Sequence, residues 1–166
     1  MAIKRDSLDA AFSNLVRERV NNISEYSGKP GPLECCHIYG RRRRSVRWHP
    51  MNAVALTHFE HRQFTENPLA FTAWLKSHVG IAHLHTLAEI AAPIRKFSPR
   101  ELAGLLAHYT AELERLRTAR SNGRLGRIEF SFPDPIPEAE PRKRAKKPKP
   151  SKFKRKLSGE VVVRKQ

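Results

Sequence analysis

Residues 34–67 read ECCHIYGRRRRSVRWHPMNAVALTHFEHRQFTEN, and the fold turns on them. An apolar lead from Leu33 to Tyr39 reads as a short strand, and Ala53 to Leu56 as its antiparallel partner. The connection GRRRRSVRWHPMN is long for a hairpin, and loops of that length are usually functional or disordered. A helix follows over about His58 to Phe64. Fifteen residues separate His37 from Asn52, and twenty-four separate His37 from His61.

Those residue types suit hydrolysis of a phosphodiester. That reaction needs a base to activate water, a cation to neutralise developing oxyanion charge, and positive groups to hold the backbone. His37 suits the base, because imidazole titrates near neutral pH. Asn52 can orient that imidazole or stabilise the hairpin loop. His61 suits a metal. Arg41, Arg42, Arg43, Arg44 and Arg47 suit phosphates, since guanidinium forks match phosphate oxygens and stay charged.

The flanks read mainly as helices. Asp6-Ser7 can cap a helix through about Val20, with Leu8, Phe12, Leu15 and Val16 on one stripe. Asn21-Asn22 ends it, and ISEYSGKPGP makes a loop. Asn67-Pro68 starts a helix carrying Phe71, Trp74, Leu75 and Val79, which Gly80 stops. A further helix covers about His83 to Ala91. Ser98-Pro99-Arg100-Glu101 is a capping box, opening a helix with Leu102, Leu105, Leu106, Tyr109, Leu113 and Leu116 on one face. It stops near Ser121-Asn122-Gly123.

The chain of 166 residues has 32 Lys plus Arg against 16 Asp plus Glu, a net charge of +16. Such an excess self-repels unless a polyanion relieves it, so nucleic acid is the first partner to consider. Positions 134–166 carry half of that net charge in a stretch rich in proline and poor in core formers. That composition predicts a disordered tail, with Lys143, Arg144, Lys146 and Lys147 giving salt-sensitive, sequence-blind attraction to nucleic acid. No apolar run is long enough to span a membrane, and MAIKRDSLDA is not a secretory signal. The two cysteines, Cys35 and Cys36, are adjacent and point to opposite faces of a strand, so no disulfide joins them.

The stretch LECCHIYGRR…VRW…N…HR.F..NP…F…WL resembles the HNH (ββα-metal) nucleases. More narrowly it is similar to the lambdoid phage NinG (Rap) recombination nucleases, from about Leu8 to Ala119. The resemblance implies an α+β protein: a ββα-metal core at 33–67, with an N-terminal helix and loop at 1–32 and a helical segment at 68–123; the Pro-, Lys- and Arg-rich remainder at 124–166 reads from its composition as a disordered tail. It implies an endonuclease of phage or prophage recombination or repair, acting on branched DNA in the bacterial cytoplasm with Mg²⁺ or Mn²⁺. His37 and Asn52 would be catalytic, and His61 and Cys36 metal-binding. A homodimer would suit the cutting of two strands.

Relatives of that kind carry two CxxC pairs that hold a structural zinc. Here the matching places are Ser24-Glu25-Tyr26-Ser27 and Thr57-His58-Phe59-Glu60, so no zinc knuckle of the usual kind is expected. Cys36 is a soft ligand, badly matched to Mg²⁺. Thr65 stands where many relatives have another His. These departures raise a second expectation: a catalytically degenerate HNH protein that acts as a DNA-binding recombination accessory. An RNA-binding or RNase protein is a third.

Overall fold

The computed structural model describes residues 6–139. Five α-helices and one two-stranded antiparallel sheet make an α+β fold. The order is α1 (Ser7–Arg19), β1 (Leu33–His37), β2 (Ala53–Thr57), α2 (His58–Glu66), α3 (Pro68–His78), α4 (Ile81–Ala91) and α5 (Pro99–Ser121). Short 3-10 turns at Arg44–Val46 and Pro50–Asn52 shape the long connection between the strands.

Helix boundaries follow side-chain chemistry. Asp6 caps α1 by accepting from the Leu8 amide. Thr57 and Glu60 form a reciprocal capping box on α2, and Ser98 and Glu101 form another on α5. Each pair satisfies amide donors that a helix start leaves free. Asn67 ends α2 and caps α3 by accepting from the Ala70 amide.

The strands pair in the register Leu33↔Thr57, Cys35↔Ala55 and His37↔Ala53. Side chains alternate between faces with period two. Leu33, Cys35, Ala53 and Ala55 face a core built with α1 and α5, including Phe12, Leu15, Leu105 and Tyr109. Cys36, Val54 and Leu56 face Phe64 of α2 and Leu75 of α3. Both faces are buried, which is why AVAL reads as an unbroken apolar run rather than an alternation. Val46 of the loop packs on Leu87 and Ala91 of α4.

The first part of the expected tail, residues 124–139, is instead packed on the fold. Ile128, Phe130 and Ile136 are buried in the main core. The Ile128 amide donates to the Arg19 carbonyl, and the Ala139 amide to the Arg100 carbonyl. A Cβ on Gly104 would meet the Pro137 carbonyl oxygen at 1.6 Å, so α5 needs glycine where this strap crosses it. Ile128, Phe130 and Phe132 recur at every second residue, a pattern that the surrounding prolines and charges mask. The basic residues Lys143, Arg144, Lys146 and Lys147 lie outside the described residues.

A buried ion pair joins these parts. Arg19 donates to Glu25 Oε1 at 2.9 Å, to the Pro50 carbonyl at 3.0 Å and to the Ala53 carbonyl at 2.7 Å. Glu25 also accepts from the Ala55 amide, Arg127 and His78. Burial opposes its ionisation, but Arg19 and Arg127 outweigh that and hold its pKa at about 2. A depressed carboxylate contributes stability above its unfolded pKa and loses it as pH falls through its folded one. We therefore expect about 3 kcal/mol of stability to disappear between about pH 4.5 and pH 2. Urea denaturation across that range should detect it, and Glu25→Gln should flatten the dependence while lowering stability at neutral pH.

Candidate active site and nucleic-acid interface

The arginine loop leaves the sheet at His37 and returns at Ala53. Asn52 closes it. Its Oδ1 accepts from the Tyr39 amide at 2.7 Å, and its Nδ2 donates to the Tyr39 and Val46 carbonyls, both at 3.0 Å. The side chain is fully buried. Of its two expected roles, the loop-stabilising one is the one its contacts fit, since its amide is committed to backbone groups. The loop it closes presents Arg41, Arg42, Arg43 and Arg44 to solvent, none of them ion-paired among the described residues. Arg47 differs from the expectation: its guanidinium forks onto Asp9, at 3.1 and 2.5 Å, and lies over the Trp48 ring. It ties the loop to α1 and is not free to hold a phosphate.

His37 ends β1 on the α1 side of the sheet, against the Phe12 ring. Its Nε2 donates to the Arg47 carbonyl at 3.0 Å. A carbonyl only accepts, so Nε2 carries the proton and Nδ1 keeps a free lone pair. Burial pushes its pKa down to about 4 against the raising effect of that hydrogen bond, with Arg41 and Arg47 adding to the fall. The imidazole is therefore neutral at pH 7 and oriented by its backbone partner.

His61 lies on the other face of the hairpin. Its Nδ1 meets Glu34 Oε2 at 2.6 Å, and His58 Nδ1 meets Glu34 Oε1 at 2.9 Å. These hydrogen bonds hold the Glu34 pKa below the usual carboxylate range. Glu34, His58, His61, Thr65 and Glu66 border a shallow cavity of about 310 Å³. The Thr65 hydroxyl donates to the His61 carbonyl, the ordinary back-bond of a helical threonine. Cys36 shares this face but is buried among Val54, Leu56 and Phe64. Burial pushes its thiol up to about 12 and apolar side chains enclose it, so its surroundings lend no support to the expected metal-binding role.

Glu34 and His61 are the donors here that a divalent cation could use; they are now hydrogen-bonded to each other at 2.6 Å, and Arg62 lines the same cavity. Among the described residues no three His, Cys, Asp or Glu gather as a ready-made ligand set. His58 and His61 sit on different oxygens of Glu34 rather than facing one point. A carboxylate and an imidazole alone suit an ion that keeps several waters and completes its shell with substrate phosphate. Glu34 was missed at the sequence level, although period two places it on the face of Cys36. Asp9, which also accepts from the Trp48 indole at 2.8 Å, was missed too.

The four positions matching the zinc knuckle do come together. The Ser24 hydroxyl donates to Glu60 Oε2 at 2.6 Å and accepts from the Tyr26 and Ser27 amides. Glu60 also accepts from the Thr57 amide. Hydrogen bonds among Ser24, Ser27, Thr57 and Glu60 thus join the N-terminal loop to the start of α2.

Comparison with family models, curated proteins and solved structures returns no match for this chain.

Two outcomes check this geometry. Replacing Asn52 with Ala strands the buried Val46 carbonyl and the half-buried Tyr39 amide and carbonyl, and should cost about 2–3 kcal/mol in urea denaturation, with faster amide exchange at Tyr39. The His37 imidazole should titrate near pH 4 by NMR. Its depressed pKa means the unfolded chain takes up the proton first, so His37 contributes stability above about pH 6.5 that is lost as pH falls towards 4. His37→Gln should remove that part of the acid sensitivity.

Proposed function

We propose that this chain is a metal-dependent DNA endonuclease of recombination or repair, acting on branched or structured DNA. The observation that carries the reading is the β1–β2–α2 unit with its Asn52-closed arginine loop beginning one turn beyond His37. Arg41 to Arg44 hold the phosphate backbone as exposed, unpaired forks. His37, neutral and held through Nε2, uses Nδ1 to take the proton from the attacking water. Glu34 and His61 would hold the divalent cation, which supplies charge neutralisation at the phosphate.

A second reading has its own observation behind it. His37 and the Glu34–His61 pair occupy opposite faces of β1. A chain in which base and cation never meet one phosphate is a DNA-binding recombination accessory on a degenerate HNH scaffold.

Plasmid and four-way-junction DNA incubated with Mg²⁺, Mn²⁺ or EDTA separates the two. Cleavage that EDTA stops is the expected result, and binding without cuts under any metal would favour the accessory. His37→Ala should abolish cutting, by at least about a hundredfold, while leaving DNA affinity nearly unchanged. Retained cleavage in that variant would remove His37 from the reaction.

A further inference from the structure

Beyond the arginine loop, the connection between α4 and α5 carries a second set of groups that no part of the reaction uses. It runs from Ala92 to Ser98 and lies against the arginine loop. The two segments enclose a groove of about 410 Å³ whose walls include Arg42, Arg43, Arg44, Ile94, Arg95 and Lys96, with no acidic residue in its lining. Arg95 reaches Glu101 only at 3.6 Å, on a side of the molecule open to solvent, which leaves it available to an anion.

The connection is anchored at both ends. Ser45 donates to the Ala91 carbonyl at 3.1 Å, tying the end of α4 to the loop. Phe97 is buried against Trp48, and the Arg95 guanidinium lies over its ring at 4.8 Å. Between these anchors Ile94 is 90% exposed, more than any other large apolar side chain among the described residues. Pro93, immediately before Ile94, has its own φ fixed by its ring. The fold therefore holds one branched aliphatic side chain out in water at the mouth of a cationic groove.

We infer that this groove is a second nucleic-acid contact, in which Arg95 and Lys96 extend the phosphate track of the arginine loop and Ile94 presses against an unstacked base step. The inference rests on the DNA-binding reading above and names the part of the DNA that this surface takes. Phosphates match the cations, and an apolar wedge beside them matches a step whose bases have parted, as at a branch point. A purely acidic peptide would satisfy the cations and leave Ile94 without a partner.

The full chain and a fluorescent four-way junction with 2-aminopurine at its branch point provide the test. Arg95→Gln with Lys96→Gln should lower the slope of log affinity against log salt by about 2, near 0.9 for each lost phosphate contact. Ile94→Ala should keep the wild-type slope and lose the 2-aminopurine signal, and Ile94→Leu should restore the signal. If these variants match wild type in slope and signal while Arg42→Gln with Arg43→Gln weakens binding, the second contact is overturned and the DNA-binding reading stands. If the wild-type chain binds no DNA, both fall. If polyglutamate displaces the junction as well as unlabelled junction does, the surface is a generic anion site and the inference is overturned.

Discussion

The pairing of Arg19 with Glu25 is the constraint on which the remaining geometry depends. Both side chains are almost wholly buried, at 2% and 3% exposure. Arg19 comes from α1, Glu25 from the loop after it, and their further partners come from the Pro50 turn, β2, α3 and the C-terminal strap. Two charges removed from water repay their desolvation only if their remaining donors and acceptors are used. Glu25 meets that condition. Arg19 meets it at both terminal nitrogens, while its Nε has no partner. Burial lowers the Arg19 pKa, but Glu25 at 2.9 Å keeps the guanidinium charged. Removing Glu25 would leave Arg19 an uncompensated buried cation, a loss of about 3–5 kcal/mol, whereas without Arg19 the Glu25 carboxylate would still keep Arg127. The pair thus fixes where the hairpin sits on α1, and so where the arginine loop emerges.

A two-stranded sheet is marginal by itself and needs packing to persist. Here α1 and α5 cover one face, and α2 and α3 the other. The same sandwiching leaves few places for chemistry: the ends of the strands, the connecting loop and the exposed rim of α2. Apart from the Nε atoms of Arg19 and Arg120, polar groups carried inward among the described residues find partners. Asn52 meets the loop backbone, Ser24 and Glu60 meet each other, and the Tyr109 hydroxyl donates to the Trp48 carbonyl. The Ser24–Glu60 contact shows how a junction can be held by hydrogen bonds where thiolates around a cation could hold another chain.

Much of this was legible in the sequence, for a physical reason in each case. The capping boxes at Thr57 and Ser98 are local chemistry, so helix starts could be read within a residue or two; only the Ser98 box was recognised in advance. The strands were bounded by Gly and Pro and packed on both faces, which gave apolar runs of the right length. The stripe of α5 is a direct record of its packing on α1. The misreadings concern long-range partners. Nothing local says that Arg47 will meet Asp9 thirty-eight residues away, so it looked like one more free arginine of the run. Cys36 was assigned by position in a spacing, whereas burial decided its chemistry. The strap at 128–136 was hidden because composition averages over a window, and three apolar residues at alternate positions are outvoted by prolines.

The alternation of β1 bears most directly on what the site can do. Glu34 and His37 are three residues apart, about 10 Å along an extended strand, and odd spacing sends them to opposite faces. A phosphate lying flat on either face would meet only one of them. The end of the strand is covered as well: as the chain leaves the sheet, Ile38 packs on both the Val54–Leu56 cluster and the Val46–Leu87 cluster. Asn52 holds the next two residues, so that rim is rigid rather than adaptable. His37 thus lies on the α1 side and Glu34 on the α2 side, so a single ligand that engaged both would have to span the edge of the hairpin rather than lie on either face.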